Sequence, residues 1–264
     1  MHVMTAGPAT SSASVVFESA LGCPCTEWVT VQAELASAGI RSIAYDRPGI
    51  GWSPGPGHAD TPDEHVHRLK ALLGRLEVRE VVLVGHSVGG LLVRSYWRRE
   101  PSHVTAMMLI DASHPDQHVR SSRQREGLRA LQAQLQTAKR RPGTIPFQGD
   151  VAMLPAPFGQ LTHSAATSYA ALRTTLAELN EWRTTWSRDA ALTRDLDDLP
   201  LTILSAGEVV RRDPAHGVLQ QELLALSKDA RQLTIDGATH QGIVMDQRFA
   251  AQVAAEIVDT IQRR

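Results

Sequence analysis

The chain has 264 residues, 42% hydrophobic and 21% charged, with a formal net charge of −1. That length suits one large α/β domain or two small ones, and the balanced charge excludes a global field for nucleic acid. Two cysteines one residue apart, Cys23 and Cys25, exclude an unstrained mutual disulfide and are too few for a structural zinc centre.

The predicted elements alternate. SVVFE (14–18) and IRSIAY (40–45) read as buried strands, short, rich in branched residues and followed by turn-forming ones. Thr61 before Pro62 predicts a helix over 61–76, with Val66, Leu69, Leu72, Leu73 and Leu76 as its apolar stripe. EVVLV (80–84) predicts a strand, and a helix follows over 88–99, stopped by Pro101. Strands follow at 104–110, 200–205 and 231–235, and a last helix at 247–262 carries Phe249, Val253, Ile257 and Ile261. Strands alternating with helices predict an α/β fold, a mostly parallel, doubly wound sheet with helices on both faces.

Residues 115–198 break this rhythm. They hold two helical patterns, 117–138 and 165–187, around the Pro/Gly-rich RRPGTIPFQGDVAMLPAPFGQ. The expected organisation is a core of 1–114 and 199–264 with 115–198 inserted as a helical lid. No apolar run is long enough to cross a membrane. The opening MHVMTAGPATSSASVVF has no basic or long apolar region of the signal-peptide kind. The expectation is a cytoplasmic protein with a small-molecule substrate and neither nucleic-acid nor membrane partners.

VVLVGHSVGG (81–90) sets one hydroxyl among three glycines at the end of a strand. Ligands bind open parallel sheets beyond the carboxyl ends of the strands. A sharp strand-to-helix turn there holds Ser87 in a strained conformation. Gly85 and Gly89 relieve the crowding, and Gly90 lets helix and strand approach. Ser87 then stands at a helix N-terminus, where free N–H groups favour negative charge. Gly85-His86-Ser87-Val88-Gly89 fits the G-x-S-x-G nucleophile elbow.

With VVFESALGCPCTEW (15–28), YDRPGIGWS (45–53) and GATHQGI (237–243), this motif makes nearly the whole chain resemble the α/β-hydrolase family. The stretch 115–198 sits where that family carries its lid, and little room is left for the family's opening antiparallel hairpin. The resemblance implies Ser87 as nucleophile and His240, in the loop after the last strand, as base. His86 is expected to pack. A Gly-x-x-Asp after LTILSAG would mark the usual acid, but position 210 is Val210. Asp111, ending MMLIDASHP, is favoured because some members carry the acid there; Asp213 and Glu208 are the alternatives. The plainer reading of Asp111 is a cap through Ser113 or His114. For the oxyanion hole, the resemblance points to the N–H groups of Val88 and Leu21, with Ala20 as the neighbour of Leu21. Relatives often have His-Gly in that loop, where this chain has Ser19-Ala20.

An aspartate at the elbow would suit epoxide opening or halide displacement, and a serine does not. The implied activity is hydrolysis of a small or medium ester, lactone or thioester through an acyl-enzyme, without cofactor or metal. A lyase, cyclase or cofactor-free perhydrolase on the same fold remains open, as does a binding protein that has lost turnover.

Other residues take plainer readings. Asp46 and Arg47 brace a turn around Gly49 and Gly51. Cys23 and Cys25 line the pocket. His65 and His67, two apart on a helix, face different directions, and His114 and His118, at helical spacing, lack a third metal ligand. Trp182 and Trp186 pack the lid on the body, one of them walling the pocket. The basic stretch 120–141 is the solvated face of a lid helix, or a dock for an acidic carrier protein or anionic substrate.

Overall fold

The computed structural model describes residues 1–9 and 13–263. Its strands are β1 (Val3–Ala6), β2 (Ala13–Glu18), β3 (Arg41–Tyr45), β4 (Glu80–His86), β5 (Val104–Ile110), β6 (Leu201–Ala206) and β7 (Ala230–Ile235). They form one seven-stranded sheet in the order β1-β3-β2-β4-β5-β6-β7. Only β1 runs antiparallel, against β3; the other pairs are parallel. The sequence reading missed β1, because VMTA is short and only partly buried. The family's opening hairpin is therefore represented among the described residues by a single antiparallel edge strand.

The helices before the insertion are α1 (Val29–Ser37), α2 (Pro62–Arg75) and α3 (Gly89–Arg99). Thr61 caps α2 in a reciprocal capping box with Glu64. The insertion carries α4 (Gln117–Arg120), α5 (Ser122–Arg140), α6 (Phe158–Ala166), α7 (Tyr169–Glu181), a π turn over Trp182–Trp186 and α8 (Ser187–Ala190). After β6 come α9 (Gly207–Arg212) and α10 (Pro214–Glu222), and after β7 come α11 (Gly242–Met245) and α12 (Gln247–Gln262).

Side-chain alternation along the central strands divides the core in two. Val15, Phe17, Val82, Val84 and Met108 pack in one cluster with Trp28 and with Val31 and Leu35 of α1 and Val253 and Ile257 of α12. Val16, Leu83, Met107 and Leu109 pack on the other face with Leu69 and Leu73 of α2 and Val93 and Tyr96 of α3. Burial on both faces explains why VVLV (81–84) is continuously apolar rather than alternating.

The helices differ from expectation in four places. The pattern at 117–138 is two helices, because Ser121 is extended and its side chain caps α5 by accepting from the Gln124 N–H. The pattern at 165–187 breaks at Ser168, which is extended and caps α7 through the Ala171 N–H. The missed α6 begins in the last three residues of the Pro/Gly-rich stretch, where Pro155 and Pro157 precede it and mask its start. The unassigned α1 buries Thr30 and Gln32 beside Val31 and Leu35, so polar residues interrupt its apolar stripe. Trp182 and Trp186 do join the insertion to the body. They cluster with Leu91 and Leu92 of α3, and Trp186 Nε1 donates to the Asp60 carbonyl at 2.9 Å. Among the described residues, no helix is long and apolar enough to cross a membrane.

Candidate active site

β4 delivers Ser87 into a turn with φ +56°, a left-handed conformation that a side chain disfavours. The glycines make that turn possible by closeness. A Cβ on Gly85 would lie 2.6 Å from the Gly89 carbonyl carbon, and one on Gly90 would lie 2.5 Å from Ala112 Cβ. A Cβ on Gly89 would strike the Glu18 carbonyl. Ser87 is held from both sides: its N–H donates to the Ile110 carbonyl, and its carbonyl accepts from Ser113.

His240 Nε2 lies 3.0 Å from Ser87 Oγ, and His240 Nδ1 lies 2.6 Å from Asp111 Oδ2. With Nδ1–H donating to the carboxylate, Nε2 is left as the acceptor facing the serine hydroxyl. Three residues far apart in sequence thus form one line of hydrogen bonds at the carboxyl ends of β4, β5 and β7.

Asp111 is buried, with φ +39°. Its Oδ1 accepts from the Ala206 N–H at 3.0 Å and faces His216 Nε2 at 2.9 Å. Burial alone would push its carboxyl up. The hydrogen bonds and charges of His216 and His240 outweigh burial and hold it well below the usual carboxylate range. The carboxylate therefore serves two imidazoles and an amide; it does not cap the following turn. The two alternative acids do not touch His240. Asp213 accepts from Ser121 Oγ at 2.7 Å, and Glu208 pairs with Arg211 and Arg212.

His86 is buried, and its role exceeds packing. Its Nε2–H donates to the His240 carbonyl at 2.8 Å, and its Nδ1 lies 3.2 Å from Glu27 Oε1. Its ring also lies 4.9 Å from that of His240. The residue inside the elbow thereby fixes the loop that carries the imidazole.

Glu27 distinguishes the amides of Ala20 and Leu21. The Ala20 N–H is spent on Glu27 Oε1 at 3.0 Å. Among the described residues, neither the Leu21 nor the Val88 N–H has a protein acceptor. Ser19, where relatives often have a histidine, accepts from Trp28 Nε1.

Asp46 braces its turn, accepting from the Cys25 and Trp52 amides. Arg47 reaches further. It holds the Ser19 and Ala20 carbonyls and Glu18, and it grips Glu178 of α7 through Nε at 2.6 Å and Nη2 at 2.9 Å. Glu178 also accepts from the Gly22 N–H at 2.9 Å. Burial would lower the Arg47 pKa, but Glu178 and Glu18 raise it well above its ordinary value. The 18–22 loop is thus clamped between β2, the Arg47 turn and the insertion.

Ser87, Asp111, His216 and His240 line a cavity of about 240 Å³ with Trp182 of the insertion. A polar cavity of about 450 Å³ meets it at His240 and carries Arg123, Arg212 and Asp150. A largely apolar one of about 300 Å³ lies between Leu21, Cys23 and Gln241 on the body and Leu131, Leu135 and Ala166 on the insertion. Cys23 does line this space, while burial and then Glu27 push its thiol well up, which keeps it protonated. Elsewhere His2, Cys25 and Asp46 place three metal-ligand atoms within 4.8 Å of one another. None of the three lines the Ser87 cavity.

A family model for the alpha/beta hydrolase fold matches residues 14–195. That is more than half of the chain, and the chain belongs to the α/β-hydrolase family. Over 118 residues it is 30% identical to a non-heme haloperoxidase from Rhodococcus erythropolis, covering 45% of this chain and 43% of that protein. Over 120 residues it is 33% identical to RutD of Variovorax paradoxus, a protein named for carbamate hydrolysis, covering 45% of each. The chain thus spans less than half the length of these curated relatives. An esterase from Exiguobacterium antarcticum has the same fold over 97% of this chain and 95% of its own, with a TM-score of 0.74 at 18% identity.

Proposed function

We propose that this enzyme is a serine hydrolase acting on an ester, lactone or thioester through an acyl-enzyme. The observation that carries this reading is the unbroken line Asp111–His240–Ser87, at 2.6 and 3.0 Å, ending on a strained serine at a helix N-terminus. As Ser87 Oγ bonds to the acyl carbon, its proton passes to His240 Nε2. Asp111 holds the ring and stabilises its cation. The carbonyl oxygen takes up negative charge between the N–H groups of Leu21 and Val88, and each such donor is worth about 2.7–4 kcal/mol of barrier. His240 then gives its proton to the leaving oxygen or sulfur. Water, deprotonated by the same imidazole, attacks the acyl carbon and frees the acid and Ser87.

The insertion acts as the lid. The apolar cavity beside Leu21 suits an acyl group of medium length, and the polar cavity with Arg123 and Arg212 suits the leaving group. The haloperoxidase relative favours one second reading. Hydrogen peroxide replaces water on the acyl-enzyme, so the product is a peracid and Ser87 is again freed.

The test is treatment with a fluorophosphonate followed by intact mass, with Ser87→Ala alongside. A single adduct that is absent from Ser87→Ala is expected. A folded protein that takes no adduct from either a large or a small phosphonate overturns the serine-hydrolase reading. Peracid formed from an acyl ester and hydrogen peroxide, faster than acid is formed in its absence, selects the second reading.

A further inference from the structure

Asp111 is shared. His240 holds its Oδ2, while His216, on α10, holds Oδ1 at 2.9 Å. Both imidazoles line the Ser87 cavity, yet the relay from carboxylate to serine needs only one. His216 is buried at 3% exposure. It is placed deliberately: Pro214 starts α10, and Gln220 of the same helix donates to the Ala112 carbonyl at 2.6 Å, tying α10 to the residue after Asp111.

We propose that His216 is a positioning residue that carries a proton against Asp111, and so sets how strongly His240 holds its own proton. The inference rests on the serine-hydrolase reading for its consequence, but not for its test.

The argument is electrostatic. A buried carboxylate facing two imidazoles stabilises a cation on either, and the two cations oppose one another across it. The remaining surroundings favour His216 as the charged member. Asp213, at the start of α10, is the second carboxylate acting on it. Burial disfavours the His216 cation, but Asp111 first and Asp213 after it outweigh burial and raise its pKa. The other elements lining the cavity present no charge: Ser113 after β5, Gln117 of α4, Gln124 of α5, Trp182 of the π turn and Val209 of α9. The charges acting on His216 are thus Asp111 and Asp213, with His240 across the carboxylate; α9 and α4, which pack on α10, carry Glu208, Arg211, Arg212, His118 and Arg120 outside this cavity. His240 is the more open of the two imidazoles, with its side chain 39% exposed against 4% for His216. Solvent therefore screens the base more than its partner.

A His216 cation neutralises part of the Asp111 charge. Less of the carboxylate's charge is then left to stabilise a cation on His240. Ser121, which caps the lid helix α5, donates to Asp213. The lid therefore touches the acid that supports the His216 charge.

His216→Gln keeps a neutral N–H donor for Asp111 and removes the charge. The experiment titrates the histidine side chains of the full chain by 15N NMR, in wild type and His216→Gln, with His240→Gln used for assignment. In wild type, His216 is expected to become cationic within the accessible pH range. In His216→Gln, the His240 midpoint is expected to rise by about half a pH unit or more, roughly threefold in proton affinity. The acid limb of fluorophosphonate labelling moves the same way. A His216 that stays neutral in wild type overturns the proposal. An unmoved His240 midpoint in a folded His216→Gln also overturns it and leaves His216 a neutral hydrogen-bond donor. Failure of Ser87 to label, by contrast, counts against the serine-hydrolase reading alone, because the NMR midpoints still decide the role of His216.

Discussion

Asp111→Asn separates the candidate acids. In the variant, the seat of Oδ1 faces two groups that donate, the Ala206 N–H and the His216 Nε2–H. The amide carbonyl stays there, and the NH2 group turns toward His240 Nδ1, which now has to accept. The imidazole proton is forced onto Nε2, where it points at Ser87 and cannot receive the serine proton. The cation that formed during attack also loses its carboxylate. Together these effects cost about ten-thousandfold in kcat, or roughly 5.5 kcal/mol of barrier. Asp213→Asn keeps an oxygen for Ser121 and leaves the relay intact, so its rate stays within about threefold of wild type. The assay is the second-order rate of fluorophosphonate labelling, read by intact mass, with circular dichroism to confirm folding. Asp111→Asn retaining more than about a tenth of the rate, while Asp213→Asn loses most of it, refutes the reasoning and moves the acid to the segment after β6.

Glu178→Gln removes one charge from a buried pair and leaves Arg47 with Glu18 and two carbonyls. The loss is about 3 kcal/mol, seen as a fall in Tm of roughly 6–10 °C, with slower labelling because Leu21 is less firmly held; an unchanged Tm sinks the clamp. Ala166→Phe, at a partly exposed position on the apolar cavity, is expected to reduce activity on eight-carbon acyl esters at least fivefold more than on acetyl esters, and an unchanged ratio removes that cavity from the acyl site. Asp111 also predicts a pH dependence of stability. Its folded carboxyl lies below the usual range, so its ionised form contributes stability above the unfolded pKa, and that contribution is lost as pH falls. The Tm of Asp111→Asn therefore falls less steeply than that of wild type between about pH 5 and pH 2; equal slopes in thermal scans count against it.

Much of the fold was legible because the central strands are buried on both faces, and such strands announce themselves as unbroken apolar runs. β1 was not legible, since an edge strand of four half-exposed residues carries no such run. The elbow was readable from three glycines whose spacing the backbone geometry requires. Asp111 could be favoured from its place at a strand end, but its distance from His240 could not. His216 lies in DPAHG, where nothing local marks it; only the placing of α10 against the segment after β5 brings it to the carboxylate. Glu178 was hidden for the same reason. A glutamate in a lid helix looks solvated until the guanidinium it meets, 131 positions earlier in the chain, is placed beside it.

The clamp between Arg47 and Glu178 bears on how this scaffold could change over time. A lid is commonly treated as an interchangeable module, free to be lengthened, shortened or replaced while the core keeps its chemistry. Here α7 of the proposed lid supplies an acceptor for the Gly22 amide and a counter-ion for a guanidinium sunk in the body. A transplanted lid without a carboxylate at this point would strand Arg47 without half of its compensation and loosen the loop that carries Leu21. Exchange is therefore restricted at α7, and the segment touching the 18–22 loop is inherited with the core.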